Sequence, residues 1–232
     1  MTQPRQTLLW GRFLLLPLLA ALLFLTGCQP LLKQFGATGE TLGYAITPKK
    51  KSQLGPLVPG HEYLLAEVNG RQVILALGQR KTTPSADGDV VDEYWYSASR
   101  EMIHLRNGRL HVIMGMHTEW RDNRSTPPAW SALQAQGQAA QWQRTRDEMP
   151  YYRFDIQDRI RTQALAHPPG AVPEGLPTQG HAIRWAQDHI ETTTPKGYRW
   201  VYTQNFALAA NQVVYSEQCI SPELCLRLQR KY

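Results

Sequence analysis

The sequence lacks most of the residues and motifs on which enzymes and metalloproteins depend. It has three cysteines in 232 residues and no G-x-S-x-G, H-E-x-x-H, Walker or G-x-G-x-x-G motif. The adjacent acids Asp92-Glu93 and Asp147-Glu148 cannot share a substrate, because neighbouring residues of a strand point to opposite faces. We therefore predict a protein that is not an enzyme and that needs no cofactor or metal.

An excess of charge of one sign is also missing. Residues 1–27 hold two arginines, Arg5 and Arg12, and no acidic residue, so the formal charge of the remainder is +4 rather than +6. A nucleic-acid binder usually shows a basic face or stripe, whereas the basic run here is Lys49-Lys50-Lys51 between prolines. We interpret this run as a solvated linker, with contact to anionic lipid headgroups as the alternative, and expect no nucleic-acid partner.

The one long apolar run, residues 13–25, is too short for the ~20 residues of a membrane-spanning helix and is typical of a signal peptide. The residues that end the run and follow it, Leu25-Thr26-Gly27-Cys28, resemble the lipobox of bacterial lipoproteins. In that motif the cysteine becomes an N-terminus carrying two or three acyl chains such as palmitate, which anchor a protein stably. We predict cleavage after residue 27 and lipidation of Cys28; the alternative is a plain secreted protein.

The residues after Cys28 predict location and domain organisation. Gln29 stands where lipoproteins carry their sorting signal and is not the aspartate of inner-membrane retention, so we expect the periplasmic face of the outer membrane. Residues 28–56 are predicted to form the lipid anchor and a flexible tether, and residues 57–232 one periplasmic domain.

Cys219 and Cys225 are predicted to form a structural disulfide, since an even pair of cysteines in an oxidising compartment usually does. A redox or metal-binding role would favour the spacing C-x-x-C.

Hydrophobic periodicity predicts the fold class. From His61 onward apolar residues mostly alternate with polar ones, and Asn69-Gly70 and Asn107-Gly108 are strong hairpin signals. Residues 118–138 and 167–180 interrupt the pattern, the first with room for one or two helical turns. We predict an all-β fold: a single large antiparallel meander sheet of ten or eleven strands. With that many strands it must be curled or folded on itself, as a half-open barrel or a sandwich-like fold, with a short N-terminal tether and little helix.

The run HLRNGRLH, residues 104–111, reads almost the same in both directions. A two-residue turn at Asn107-Gly108 would pair residues whose numbers sum to 215, which opposes Arg106 to Arg109 and His104 to His111. Alternation then predicts an apolar face of Ile103, Leu105, Leu110 and Val112 and a polar face of His104, Arg106, Arg109 and His111. The polar face is either solvated or a contact face for an anionic glycan or a partner protein. Two histidines alone make an incomplete metal site.

Six tryptophans remain after residue 27: Trp95, Trp120, Trp130, Trp142, Trp185 and Trp200. In a large β-domain, tryptophans fill the core more often than they stack on sugars.

Three stretches of the sequence resemble a known family. WYSASREMIHLRNGRLHVIMGM, AAQWQRTRDEMPYYRFDIQDRI and GYRWVYTQNFALAANQVVYSEQCISPEL are similar, in this order, to segments of the YjbF-type, group 4 capsule polysaccharide lipoproteins.

The resemblance implies an antiparallel β-fold in the periplasm and a part in making or exporting a polysaccharide, without catalytic residues. Our main hypothesis is a lipid-anchored, non-enzymatic accessory in exopolysaccharide or capsule assembly or secretion. Its expected partners are the membrane, the polymer and proteins of the same secretion system, with a homodimer also open. The first alternative is a lipid or lipoprotein cargo-binding module, in which a half-open sheet presents the apolar face of residues 101–116. A weaker alternative is a polysaccharide-modifying enzyme.

Overall fold

The computed structural model describes residues 57–86, 88–136, 139–221 and 224–232. The predicted signal peptide, Cys28 and the tether lie outside these residues. The described chain forms twelve strands and one short helix, α1 (Trp130–Gln136). The strands are β1 (Tyr63–Val68), β2 (Arg71–Thr83), β3 (Val90–Ser97), β4 (Met102–Arg106), β5 (Arg109–Met114), β6 (Glu119–Ser125), β7 (Ala140–Met149), β8 (Arg153–Leu165), β9 (Ile183–Thr193), β10 (Arg199–Ala209), β11 (Gln212–Ser221) and β12 (Leu224–Lys231).

The strands form an antiparallel meander that closes into a barrel. Each strand pairs with the next, and β1 pairs with β12 from Tyr63–Lys231 to Val68–Leu226. The predicted all-β, single-sheet meander with little helix is therefore confirmed, and the sheet curls until its two edges meet. Closure pairs the N–H and C=O groups that edge strands would otherwise leave exposed. In the described part of the chain, no helix is long and apolar enough to cross a membrane.

Strand β6 falls within the region that the sequence predicts to be an interruption. Its sequence, EWRDNRS, is mostly charged and lacks the apolar alternation of a strand with one buried face. Trp120 and Asp122 are nevertheless both buried, Trp120 against the main apolar cluster and Asp122 where it interacts with the charge of Arg144. The helical turns predicted for the same region are present as α1.

The interior is divided between an apolar part and an ionic part. Inward-pointing side chains of β1 to β6, β11 and β12 form the main apolar cluster, in which all members are at most 3% exposed. Its members are Leu64, Ala66, Leu75, Trp95, Ile103, Leu105, Leu110, Ile113, Trp120, Ile220, Leu226 and Leu228. By contrast, the interior beside β7, β8 and β9 holds buried charges that pair with one another.

The ionic part is centred on Asp158 of β8. Arg144 donates to Asp158 through Nε and Nη2 at 2.9 and 2.7 Å, and Arg146 Nε donates at 2.8 Å. Thr192 Oγ1 adds a fourth hydrogen bond at 2.7 Å. Burial acts to raise the pKa of Asp158, but the two guanidinium groups outweigh it and hold the pKa below its ordinary value. The carboxylate is therefore ionised and compensates two buried cations.

The predicted disulfide is present between β11 and β12. Cys219 and Cys225 are register partners, and their sulfur atoms are bonded at 2.03 Å. The bridge closes a short loop and so removes conformational freedom chiefly from the unfolded chain.

Replacing Cys219 and Cys225 together by serine is expected to lower the free energy of unfolding by about 2–3 kcal/mol, the loop-closure value for a loop this short. Urea denaturation of the wild type and the double variant measures the difference. Adding a reductant should bring the wild type down to the variant and leave the variant unchanged. Equal stabilities in oxidising buffer would contradict this assignment.

Candidate functional site

The meander topology sorts the loops between the two ends of the barrel. Turns from an odd-numbered to an even-numbered strand lie at one end, and connections from an even-numbered to an odd-numbered strand lie at the other. The tip of the mirrored run, Asn107-Gly108, joins β4 to β5, and α1 lies between β6 and β7. Both are therefore at the second end, which we call the helix end.

The β4–β5 hairpin follows the predicted register only near its tip. Asn107 and Gly108 have φ values of 49° and 77°, as the predicted turn requires. Arg106 pairs with Arg109 and Leu105 with Leu110, as predicted, but His104 pairs with Val112 and Ile103 with Ile113. The predicted His104–His111 pair and the predicted place of Val112 on the apolar face are thus wrong. A β-bulge inserts His111 as an extra residue of β5, and Ile113 takes the core position.

The hairpin tip is held inside the barrel. Gln218 of β11 accepts a hydrogen bond from the Leu110 amide at 2.8 Å and donates one to the Gly108 carbonyl at 2.9 Å. The Trp130 indole donates to the Asn107 carbonyl at 2.7 Å. Strands β5 and β11 are not neighbours, so these bonds cross the interior. A Cβ on Gly108 would collide with the side chain of Val213, which leaves room for glycine only.

Arg109 is the buried anchor of this tip. Its Nε lies 3.0 Å from Asp188 Oδ2 on β9, and the two side chains are 4% and 1% exposed. The guanidinium carbon lies 3.6 Å above the ring centroid of Trp130, a cation–π contact. Thr162 also donates to Asp188 at 2.5 Å. Arg109 therefore forms part of the interior and does not share a face with its mirror partner Arg106.

The other three residues of the predicted polar face lie together. His104 Nε2 and Arg106 Nε are 2.7 and 2.8 Å from the same atom, Asp92 Oδ1. The rings of His104 and His111 are 4.7 Å apart, and His111 Nδ1 lies 3.3 Å from Asp122 Oδ2. Among the described residues, no three His, Cys, Asp or Glu side chains converge as metal ligands would. The contact role predicted for this face stays a prediction.

His104 is expected to make stability pH-dependent. Burial lowers its pKa below the ordinary value, and the hydrogen bond to Asp92 opposes this shift only in part; His111 and Arg106 add to the lowering. As the pH falls from about 7 to 5.5, the unfolded chain takes up more proton on this imidazole than the folded chain does. The free energy of unfolding therefore decreases as the pH is lowered. Thermal melting should show a smaller loss over this range for His104→Gln than for the wild type.

The matched control is the exposed His167, whose replacement by glutamine should leave the pH dependence unchanged. The Asp92 carboxylate affects stability at a lower pH than His104 does. Because the pKa of Asp92 is lowered in the folded chain, its contribution to stability is lost only as the pH falls below about 4. A His104→Gln variant that loses as much stability as the wild type between pH 7 and 5.5 would contradict the assignment.

The largest described cavity lies at the opposite end of the barrel. Its volume is about 1090 Å³, and its described lining comes from four odd-to-even turns, the strand ends beside them, and the adjoining ends of β11 and β12. We call it the aromatic cup, because five rings line it: Tyr151, Tyr152, Phe154, Tyr198 and Trp200. Sites for small ligands are usually concave and aromatic, with a few placed polar groups, which makes the cup the candidate functional site.

Local backbone geometry positions the rings of the cup. The β7–β8 turn places Tyr152 in the left-handed region at φ 50°, and its ring meets Phe154 edge to face with centroids 6.4 Å apart. In the β9–β10 turn, the Thr194 hydroxyl accepts the Tyr198 amide at 3.1 Å, while the Thr194 amide donates to the Tyr198 carbonyl at 3.0 Å. The turns are therefore ordered by their own hydrogen bonds, and the rings project from them.

The charge of the cup is mainly basic. Arg153, Lys196 and Arg199 line it, against Asp155 and Glu148. Glu148 is fully buried and pairs with Arg146 as well as with Arg153, whose Nη1 lies 3.4 Å from it. Neither Lys196 nor Arg199 has an ion-pair partner among the described residues. The cup can therefore offer positive charge and flat apolar rings to a ligand.

The residues of the cup could not be recognised from the sequence pattern alone. Five of the six tryptophans are buried, as predicted, and Trp200 is the one that lines this cavity. The sequence feature that could have indicated the cup is a pair of segments, Tyr151-Tyr152-Arg153-Phe154 and Tyr198-Arg199-Trp200. Both place arginine among aromatic residues beside turns. The first segment lies partly in the β7–β8 turn, since β8 begins at Arg153.

Comparisons with known proteins agree with this fold. Residues 63–230 match the model of a family described as group 4 capsule polysaccharide lipoprotein GfcB, YjbF. No curated protein matches the chain significantly. Among solved structures, the hypothetical lipoprotein YmcC from Escherichia coli (K12) is similar with a TM-score of 0.51 and 14% identity, covering 75% of this chain and 84% of that one. At this identity the likeness concerns the fold alone.

The family match begins at the first residue of β1 and ends within β12, so it spans the whole barrel. It confirms the resemblance stated from the three sequence stretches. The chain belongs to the YjbF family of group 4 capsule polysaccharide lipoproteins.

Proposed function

We propose that this protein is a lipoprotein of the outer membrane, on its periplasmic face, and a non-enzymatic accessory in assembling or secreting an exopolysaccharide or capsule. The observation that carries the proposal is the family match over residues 63–230, which associates the chain with capsule polysaccharide. The lipobox ending at Cys28 supports the lipid anchor, and Gln29 supports the outer membrane.

The architecture supports an accessory role. A closed barrel with a packed and ionically paired interior is a rigid scaffold, and binding sites placed on the loops of such a scaffold are common. The aromatic cup at one end supplies a surface on which a polymer or a neighbouring protein of the secretion system can bind. The lipid anchor would keep this surface at the membrane where the polymer leaves the cell.

The cargo-binding alternative receives no support from the hairpin on which it was based. Ile103, Leu105 and Leu110 are at most 3% exposed and pack in the main apolar cluster. These side chains therefore line no open concave face, and a closed barrel replaces the half-open sheet.

Deletion of the gene tests the proposed role. Under conditions where surface polysaccharide is made, the deletion strain is expected to show less of it at the surface, and the full-length gene should restore it. A Cys28→Ser variant should restore much less, because it cannot be anchored. An unchanged amount of surface polysaccharide in the deletion strain would overturn the proposal.

A further inference from the structure

The exposure of the aromatic cup is what distinguishes it from the rest of the barrel. Tyr152, Tyr198, Tyr151 and Phe154 are 71%, 66%, 60% and 50% exposed. Large apolar rings grouped at the surface mark an interaction site more reliably than rings scattered singly. These four lie on two neighbouring turns, β7–β8 and β9–β10, and on the first residues of β8, around one cavity.

The charges between the rings indicate which chemistry the cup would take. Lys196 and Arg199 lie on the β9–β10 side without a described ion-pair partner, and Arg153 lies on the β7–β8 side over the ring of Tyr151, 4.9 Å from its centroid. Arginine presents paired N–H donors that match a carboxylate. Aromatic rings offer flat faces against which the C–H face of a sugar ring can pack.

We propose that the aromatic cup binds a segment of an acidic polysaccharide, with Tyr198 stacking on a sugar ring and Arg199 pairing with a sugar carboxylate. This rests on the proposed function and names the substrate class of that site. The volume of about 1090 Å³ is slightly above the ~300–1,000 Å³ typical of small-ligand pockets, so it admits more than one sugar ring.

A lipid acyl chain fits the cup less well. Acyl chains favour pockets lined by aliphatic side chains, and Leu224 is the one branched aliphatic residue in the described lining. The lining instead alternates rings with cations and with polar turn residues such as Asn69 and Thr194. This composition matches a ligand that has both apolar faces and negative charges.

The test uses the full-length lipoprotein in phosphatidylcholine nanodiscs, titrated with hexagalacturonate and with the neutral maltohexaose by calorimetry. Hexagalacturonate is expected to bind and maltohexaose to bind at least about tenfold more weakly. Tyr198→Ala and Arg199→Gln should each weaken hexagalacturonate binding about tenfold, the loss typical of an aromatic or arginine anchor. The matched controls Tyr232→Ala and Arg159→Gln, exposed residues outside the cup, should bind as the wild type does.

Three results would overturn the inference: no binding of hexagalacturonate, equal binding of the two sugars, or unchanged affinity of both cup variants. Binding of phosphatidylglycerol vesicles that Tyr198→Ala and Arg199→Gln both weaken, with no binding of hexagalacturonate, would assign the cup to lipid instead. The outcome is separate from the deletion test. If the deletion strain loses surface polysaccharide and the cup variants bind hexagalacturonate as the wild type does, the cup is not the binding site for the polysaccharide. The proposed function would remain intact.

Discussion

Replacing Arg109 by methionine is expected to lower the free energy of unfolding by about 3–5 kcal/mol, the usual loss when one partner of a buried ion pair is removed. The variant leaves the Asp188 carboxylate, 1% exposed, without its cation. It also removes the cation–π contact with Trp130 and loosens the hairpin tip inside the barrel. Urea denaturation followed by tryptophan fluorescence measures the effect.

The mirrored sequence supplies the matched control. Arg106 is the register partner of Arg109, but its side chain is 35% exposed and its carboxylate partner is Asp92. Arg106→Met is therefore expected to cost about 1 kcal/mol or less. Equal losses for the two variants would contradict the assignment of Arg109 to the interior.

Replacing Asp158 by asparagine is expected to have an effect of similar size, about 3–5 kcal/mol. The change preserves the shape of the side chain and removes the charge that compensates Arg144 and Arg146, both at most 2% exposed. Glu148 pairs with Arg146 but not with Arg144, so one buried guanidinium loses its counter-ion. Chemical denaturation again measures the loss.

The control for this change is Asp155→Asn on the same strand, where the side chain is exposed at the rim of the cup. It should change stability by less than about 0.5 kcal/mol. A chain with Asp158→Asn that unfolds at the same urea concentration as the wild type would show that the carboxylate does not compensate the arginines.

Local patterning predicted most of the barrel. Asn-Gly turns and period-two runs identified eleven of the twelve described strands, because buried and exposed side chains alternate along most of them. Strand β6 could not be predicted in this way, since the buried Asp122 is accommodated only when Arg144 of β7 and His111 of β5 are brought beside it. Closure between β1 and β12 is likewise a long-range pairing that local periodicity does not contain.

The register of the mirrored hairpin could be predicted from the sequence only near its tip. The turn at Asn107-Gly108 and the first two residue pairs were predictable from the symmetry of the run. The β-bulge at His111 was not, because the symmetry of the run contains neither the register shift nor the long-range hydrogen bonds of the tip with Gln218. The two arginines of the symmetric run therefore have different environments in the structure. Arg109 is buried in the barrel, whereas Arg106 is partly exposed in a cluster with Asp92 and His104.

The candidate site was predicted less well than the fold. The sequence directed attention to the His and Arg residues of the helix end, whereas the largest described cavity is at the other end. The described lining of the cup is assembled from four turns and several strand ends that are far apart in sequence, and no single turn carries a recognisable motif. Its aromatic residues look like core residues until the barrel places them on turns.

The central claim is that the cup end is the working surface and the hairpin at the helix end is part of the scaffold. The most direct measurement is the amount of surface polysaccharide in the deletion strain complemented with the full-length chain carrying Tyr198→Ala and Arg199→Gln together. We predict a level close to that of the deletion strain, with wild-type amounts of the protein in the membrane. Complementation to the wild-type level by this double variant would contradict the account.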